Sequence, residues 1–248
     1  RMSAPAPSAD AADAAAADVA ARRQAKKDSK FVSAEMRPTA MKLHTRSQAP
    51  KEGQKEETKE APMMKWEPTR EGYLQFLVDS RHVYTALEEI CASRPELEPF
   101  RDTGLERVAA LNTDIEGMAS GAIPAGSDPI PVPDVGEPGS TYAAFLRDMA
   151  DGEGELAPEF ICHYYNFYFA HSAGGRMIGR KMSEMLLDGH ELEFYQWKDD
   201  VKEVLLPAVA DDIDKYVLEN WTREQKDLCL GETAKSFQMG GALLSHIK

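Results

Sequence analysis

Between residues 73 and 91, apolar side chains recur in steps of three and four: Tyr73, Phe76, Leu77, Tyr84, Leu87 and Cys91, with Ser80 in the same register. That spacing aligns one face of an α-helix and cannot serve a half-buried strand, whose side chains alternate with a period of two. Pro68-Thr69 stands ahead of the pattern as a start, and Pro95 closes it. The same period governs most of the chain after residue 31. Leu105, Val108, Leu111 and Ile115 predict a second helix over 104–118, and a short one is expected over 142–149. The longest apolar segment spans 157–187, and two further helices are expected over 194–219 and 222–245. Thr222 followed by Gln225 has the pattern of a capping box. No alternating run of useful length occurs, so an all-α protein is predicted.

Two stretches break this periodicity. Residues 120–140 (SGAIPAGSDPIPVPDVGEPGS) hold five of the fifteen prolines and read as an irregular connection. Cutting the chain there would strand only two or three helices on the N-terminal side, so a surface loop within one domain over 31–248 is expected. Residues 1–30 are almost wholly Ala, Asp, Ser, Pro and basic residues with little to bury, and are expected to form a disordered Ala-rich extension. The chain opens Arg1-Met2, as though an upstream segment had been removed, and shows no apolar core of a secretory signal.

Composition narrows the partners. A net charge of −13 disfavours non-specific nucleic-acid binding, which depends on basic surface releasing phosphate counterions. No apolar run approaches the ~20 residues of a membrane span. Cys91, Cys162 and Cys229 are odd in number and widely spaced, which argues against a disulfide framework or a cysteine zinc site.

The candidate chemistry lies in YNFYFAHSAGGRMIGRK, residues 165–181. Each interior glycine costs a helix about 1 kcal/mol relative to alanine, so Gly174, Gly175 and Gly179 need a reason. On a regular helix Phe167, His171, Gly175 and Gly179 follow at four-residue intervals along one face. Missing side chains beyond His171 can let a flat group approach the backbone, let the helix kink, or allow close helix–helix contact. Periodicity alone leaves these open. No histidine has a glutamate three residues before it, which removes the di-iron carboxylate bundle. Phosphate-binding loops, a GxSxG elbow and HExxH are also absent. One metal bond in an apolar slot, as haem requires, remains compatible. His44, in MKLHT, shares a side with Met36, Ala40 and Leu43; by spacing alone it reads as a polar residue on an amphipathic helix.

Taken together, MKLHT (41–45), KWEPTREGYLQFLVDS (65–80), TGLER (103–107), FICHYYNFYFAHSAGGRMIGRK (160–181), ELEFYQW (191–197) and WTREQK (221–226) resemble a haem oxygenase of the plant and algal plastid type over about residues 31–248. The run 160–181 is the most specific. The resemblance implies a single multi-helical domain with haem, at once substrate and cofactor, between a proximal and a kinked distal helix. It implies conversion of haem with O2 and electrons from reduced ferredoxin to biliverdin, CO and Fe2+; the alternative is a non-catalytic haem carrier or sensor. His44 matches the proximal iron ligand, and Gly174, Gly175 and Gly179 match the glycines at the distal kink. His171 takes the place of a distal carboxylate in animal relatives and is expected to organise water, with Tyr84 in the same network. Arg37 and Tyr165 match propionate contacts, and Phe237 a haem contact.

Two departures accompany the match. Pro207 and Asp211 stand where relatives carry a basic clamp, with Lys198, Lys202 and Lys215 as unranked substitutes, and Pro38 falls inside the presumed proximal helix, which is expected to start or bend there. No flavin or nicotinamide motif is present, so reductant must come from outside. Arg176, Arg180 and Lys181, followed in space by Arg46, are the candidate patch for acidic ferredoxin, although they are equally readable as solvated charges. The resemblance further implies a monomer in the plastid stroma.

Overall fold

The computed structural model describes residues 30–46, 51–56, 67–151, 154 and 156–247. The expected extension over 1–30 lies, apart from Lys30, outside the described residues. Among the described residues there are helices and one isolated bridge, Thr45 with Lys55, and no strand. The all-α expectation is met.

A wide π-type turn, Val32–Met36, leads directly into α1 (Arg37–Met41). Pro38 sits in the first turn of α1, where its missing N–H leaves no bond unmade. The central helix is α2 (Arg70–Ser93), opened by Thr69, whose Oγ1 accepts from Gly72 N at 3.0 Å. It is buried on nearly all sides, with Tyr73, Leu74, Leu77 and Leu87 fully inaccessible. Against it pack α3 (Val108–Ser120) and α4 (Glu137–Ala150). The distal element is α5 (Pro158–Ala170), a second wide turn (His171–Gly175), and α6 (Arg176–Leu186). A short 3-10 turn (Glu193–Tyr195) precedes α7 (Leu206–Asn220), α8 (Arg223–Gly231) and α9 (Thr233–Leu243). The capping box at Thr222 and Gln225 forms as its sequence predicts.

Three boundaries differ from the periodicity, each because a carboxylate takes backbone donors. α3 begins at Val108 rather than 104, because Gly104 adopts φ +82° and Glu88 of α2 accepts from Arg107 N (2.8 Å) and Val108 N (3.1 Å). α4 begins earlier than 142, its first N–H groups facing Asp79. The helix expected over 194–219 is split: Asp114 binds the amides of Glu193 and Phe194, and Asp200 caps a fresh start at Val201–Leu205, a wide turn that runs into α7. Residues 121–136 are irregular, as their prolines require.

Asp79, wholly buried in α2, gathers the frame. Its carboxylate accepts from Gly136 N (2.7 Å), Gly139 N (3.2 Å), Gln75 Nε2 (2.9 Å) and His246 Nε2 (3.0 Å). One group thus ties α2 to the start of α4 and to the C-terminal turn (Leu244–Ile247). α4 approaches so closely that a Cβ on Gly139 would lie 2.8 Å from the Asp79 Cα. Replacing Asp79 by Ala leaves several donors without an acceptor. A loss of about 3 kcal/mol is expected, read as a lower denaturant midpoint with an unchanged slope.

Candidate active site

An apolar cavity of about 330 Å3 opens between α2, the α5–α6 element, the Glu193–Tyr195 turn and α9. This lies within the roughly 300–1,000 Å3 of small-molecule sites. Phe76, Ser80 and Tyr84 face it from α2, and Asn166, Phe167 and Ala170 from α5. His171, Gly175 and Ile178 close one side; Ser236, Phe237, Gly240 and Gly241 close the other. Of the sequence-selected residues the cavity therefore unites Tyr84, His171, Gly175 and Phe237.

His171 is held by its surroundings in one state. Its Nε2 lies 2.8 Å from the carbonyl of Phe194. A carbonyl only accepts, so Nε2 carries the proton and Nδ1 is left as the acceptor. The imidazole stacks on Phe194 at 4.0 Å with 21° between planes. Burial, reinforced by the nearby Arg107 and Arg176 charges, lowers its pKa from 6.5 to about 3, the Phe194 bond opposing this. It is therefore neutral throughout the working pH range. A Cβ on Gly175 would sit 2.9 Å from Nδ1, so the missing side chain keeps that lone pair uncovered.

The other glycines act differently. Around Gly174 nothing lies within 4 Å of a built Cβ, and the residue is exposed on the outer side. Gly179 is buried, and a Cβ there would meet the Tyr195 ring at 2.6 Å. The wide turn at 171–175 takes more residues per revolution than an α-helix, which rotates Gly179 off the face that a strict four-residue step assigns it. Tyr84 is 1% exposed, with its ring 6.0 Å from His171 and 5.7 Å from Phe194. Burial raises its pKa far above the ordinary phenol value.

His44 lies just beyond α1 rather than on it. Its Nδ1 is 3.0 Å from the carbonyl of Ala40, so Nδ1 is the protonated nitrogen and Nε2 the free one. A metal-binding imidazole is commonly oriented in this way. Its ring meets the Phe237 ring edge-on at 5.0 Å, and Phe237 forms the cavity wall between them. An imidazole with a free Nε2, an apolar cavity and open glycine backbone fit a haem group. Arg37 and Tyr165 are neighbours outside this cavity: the Arg37 charge reaches the buried Tyr165 phenol, which burial pushes up to about 12. Arg37 itself pairs with Glu52 at 2.6 Å, both side chains about half exposed, and lines a separate groove with Arg46 and Lys51. Lys198, Lys202 and Lys215 are exposed and absent from the cavity wall, as are Pro207 and Asp211.

Sequence reasoning missed Asn166, Ser236 and the pair Gly240-Gly241. Asn166 Nδ2 donates to Ser236 Oγ at 2.7 Å and to Cys162 Sγ at 3.3 Å. The diglycine could have been found, because it repeats in α9 the helix-weakening signal of Gly174-Gly175.

No family model matches the sequence. The chain is 47% identical over 239 residues, 94% of its length and 80% of the relative's, to heme oxygenase 1, chloroplastic, of Arabidopsis thaliana. It is 40% identical over 184 residues, 73% of its length and 52% of the relative's, to a probable inactive heme oxygenase 2, chloroplastic, of rice. In fold it resembles the crystal structure of heme oxygenase 2 from Chlamydomonas reinhardtii without heme, with a TM-score of 0.55 at 18% identity over 73% of this chain and 84% of that one. An all-α fold, a cavity between helices and this degree of identity define a haem-degrading enzyme of the chloroplast type. The chain belongs to the haem oxygenase family.

The low pKa of His171 gives a pH dependence of definite sign. Between about 3 and 6.5 the unfolded chain binds a proton at this residue and the folded chain does not. Its contribution to stability is therefore complete above 6.5 and is lost as pH falls. Asp114, raised to about 6, acts in the opposite sense. In His171→Phe the fall in urea midpoint from pH 6.5 to 4.5 should be shallower, by up to about 1.4 kcal/mol per pH unit. An unchanged slope would show that His171 is not buried neutral.

Proposed function

We propose that this protein cleaves haem with O2 and electrons from reduced ferredoxin, releasing biliverdin, CO and Fe2+, in the plastid stroma. The observation that carries the reading is the pair of histidines in opposite tautomers, one on each side of the Phe237-walled cavity. Haem, when bound, supplies both the iron at which O2 is activated and the ring that is cleaved. His44 Nε2 is the nitrogen available to the iron. His171 Nδ1 is the acceptor that holds a distal water, and Tyr84 borders the same space. Protons for the oxygen bound there pass through this water rather than from the imidazole, which burial keeps neutral. Gly175 leaves room for the water, Gly174 keeps the outer side of the turn free of side chains, and Gly179 lets Tyr195 seat beneath the distal element. Phe237 packs the proximal face. Arg37 and Tyr165 take the propionates, Arg37 leaving Glu52 to do so; an exposed pair of that kind costs only about 0–1 kcal/mol to break.

The reading is tested on hemin-loaded protein given ferredoxin, its reductase and NADPH under air. Loss of the Soret band with a growing biliverdin band is expected. A stable Soret band would leave the haem carrier or sensor. His44→Ala should bind hemin with an altered Soret band and lose most turnover; full turnover would refute the iron assignment.

α6 carries Arg176, Arg180 and Lys181 on an exposed surface with Met177, which is 71% exposed. A cationic patch with an apolar centre on a chain of charge −13 suits an acidic electron donor. The double reversal Arg180→Glu and Lys181→Glu should raise KM for ferredoxin several-fold and leave KM for haem unchanged, an effect that shrinks with added salt. Equal KM values in variant and parent would remove the patch.

A further inference from the structure

Asp114 is fully buried in α3, and its carboxylate binds only two backbone amides among the described residues, Glu193 N at 2.9 Å and Phe194 N at 2.7 Å. A buried carboxylate without a paired cation is costly, and burial has raised its pKa to about 6. What the two bonds secure is a three-residue turn wrapped around His171. Phe194 stacks on the imidazole, Tyr195 lies 5.2 Å from it, and the Phe194 carbonyl takes its Nε2 proton. Within the turn, the carbonyls of Leu192 and Glu193 are occupied by Tyr195 N (3.1 Å) and Gln196 N (3.0 Å), which leaves that of Phe194 to face His171. Each carboxylate oxygen takes one amide, a two-point grip that a neutral side chain of the same size cannot reproduce, since an amide group has a single acceptor oxygen.

We infer that Asp114 is a positioning residue for His171: by clamping the Glu193–Tyr195 turn it aims the Phe194 carbonyl at Nε2, and so dictates that Nδ1 is the lone pair presented toward Gly175. The inference rests on the reading of His171 as the residue that holds the distal water. It assigns the tautomer of that histidine to a carboxylate on a different helix, two hydrogen bonds removed from the cavity. With the turn released, the imidazole can exchange tautomers, and half of the resulting states offer a donor where the water needs an acceptor.

The test uses the full chain without haem, labelled with 15N-histidine, and follows the ring nitrogens in long-range proton–nitrogen spectra at pH 7. The signals of His171 are those missing from His171→Phe. The parent should show a single neutral Nε2–H tautomer for His171. Asp114→Asn should show a mixture of tautomers, with helical content retained and the other histidine signals in place. An unchanged single tautomer in folded Asp114→Asn overturns the inference and leaves Asp114 a structural anchor. Should that variant fail to fold, Asp114→Glu is measured in the same way; its extra methylene displaces the turn, so the same mixture is expected and the same single tautomer overturns it. In the haem-loaded enzyme the shifted variant should lose kcat several-fold with KM for haem unchanged. A moved tautomer with unchanged kcat would uphold the positioning by Asp114 while discarding the catalytic reading of His171.

Discussion

The structure depends on carboxylates placed inside it to hold backbone rather than to pair with cations. Asp79 is the chief of these. A charge with no water around it is tolerable only when donors converge on it, and here they come from α2, the start of α4 and the C-terminal turn. The helix that carries Asp79 also supplies Phe76, Ser80 and Tyr84 to the cavity, and the turn it captures follows directly on Leu243 and Leu244, which line the same space. The two walls are thus fixed relative to one another by a single buried group. Glu88 and Asp114 repeat the device at the start of α3 and at the turn beneath His171.

The two histidines of the site show how little chemistry is intrinsic to a side chain. Both are neutral imidazoles bonded to a main-chain carbonyl. One gives Nδ1–H to its own helix at Ala40, and the other gives Nε2–H to a distant turn at Phe194. The nitrogen left over is Nε2 in the first case, at the tip of the ring and suited to a metal. In the second it is Nδ1, tucked near the backbone and suited to a water molecule. Their division of labour is set by which carbonyl is within reach.

Much of this was legible in the residues. The period of three and four located α2, and the Thr222–Gln225 box located the start of α8, because both signals are local. Boundaries set by distant carboxylates were not legible: nothing near residue 104 announces that Glu88 will cap α3 from another helix. His171, Gly175, Tyr84 and Phe237 could be selected by their likeness to a family, and the cavity unites them. Gly179 was placed on the cavity face by counting fours, and the wide turn at 171–175 defeats such counting by taking extra residues in one revolution. Asn166 and Asp114 escaped because a polar residue on a packed helix gives no sign of what it will meet.

That wide turn sets a rule about length that side-chain identity does not capture. From Pro158 to Leu186 the chain forms one nearly unbroken rod with a single loosened revolution in its middle. Removing one residue from His171–Gly175 would let the rod close into ordinary α-helix. It would swing everything after the turn by about 100°, carrying Gly179 from under Tyr195 and turning the outward-facing cations of α6 elsewhere. The distal wall can therefore tolerate change in what its residues are more readily than change in how many there are, and the spacing between the two ends of the rod is the quantity under constraint.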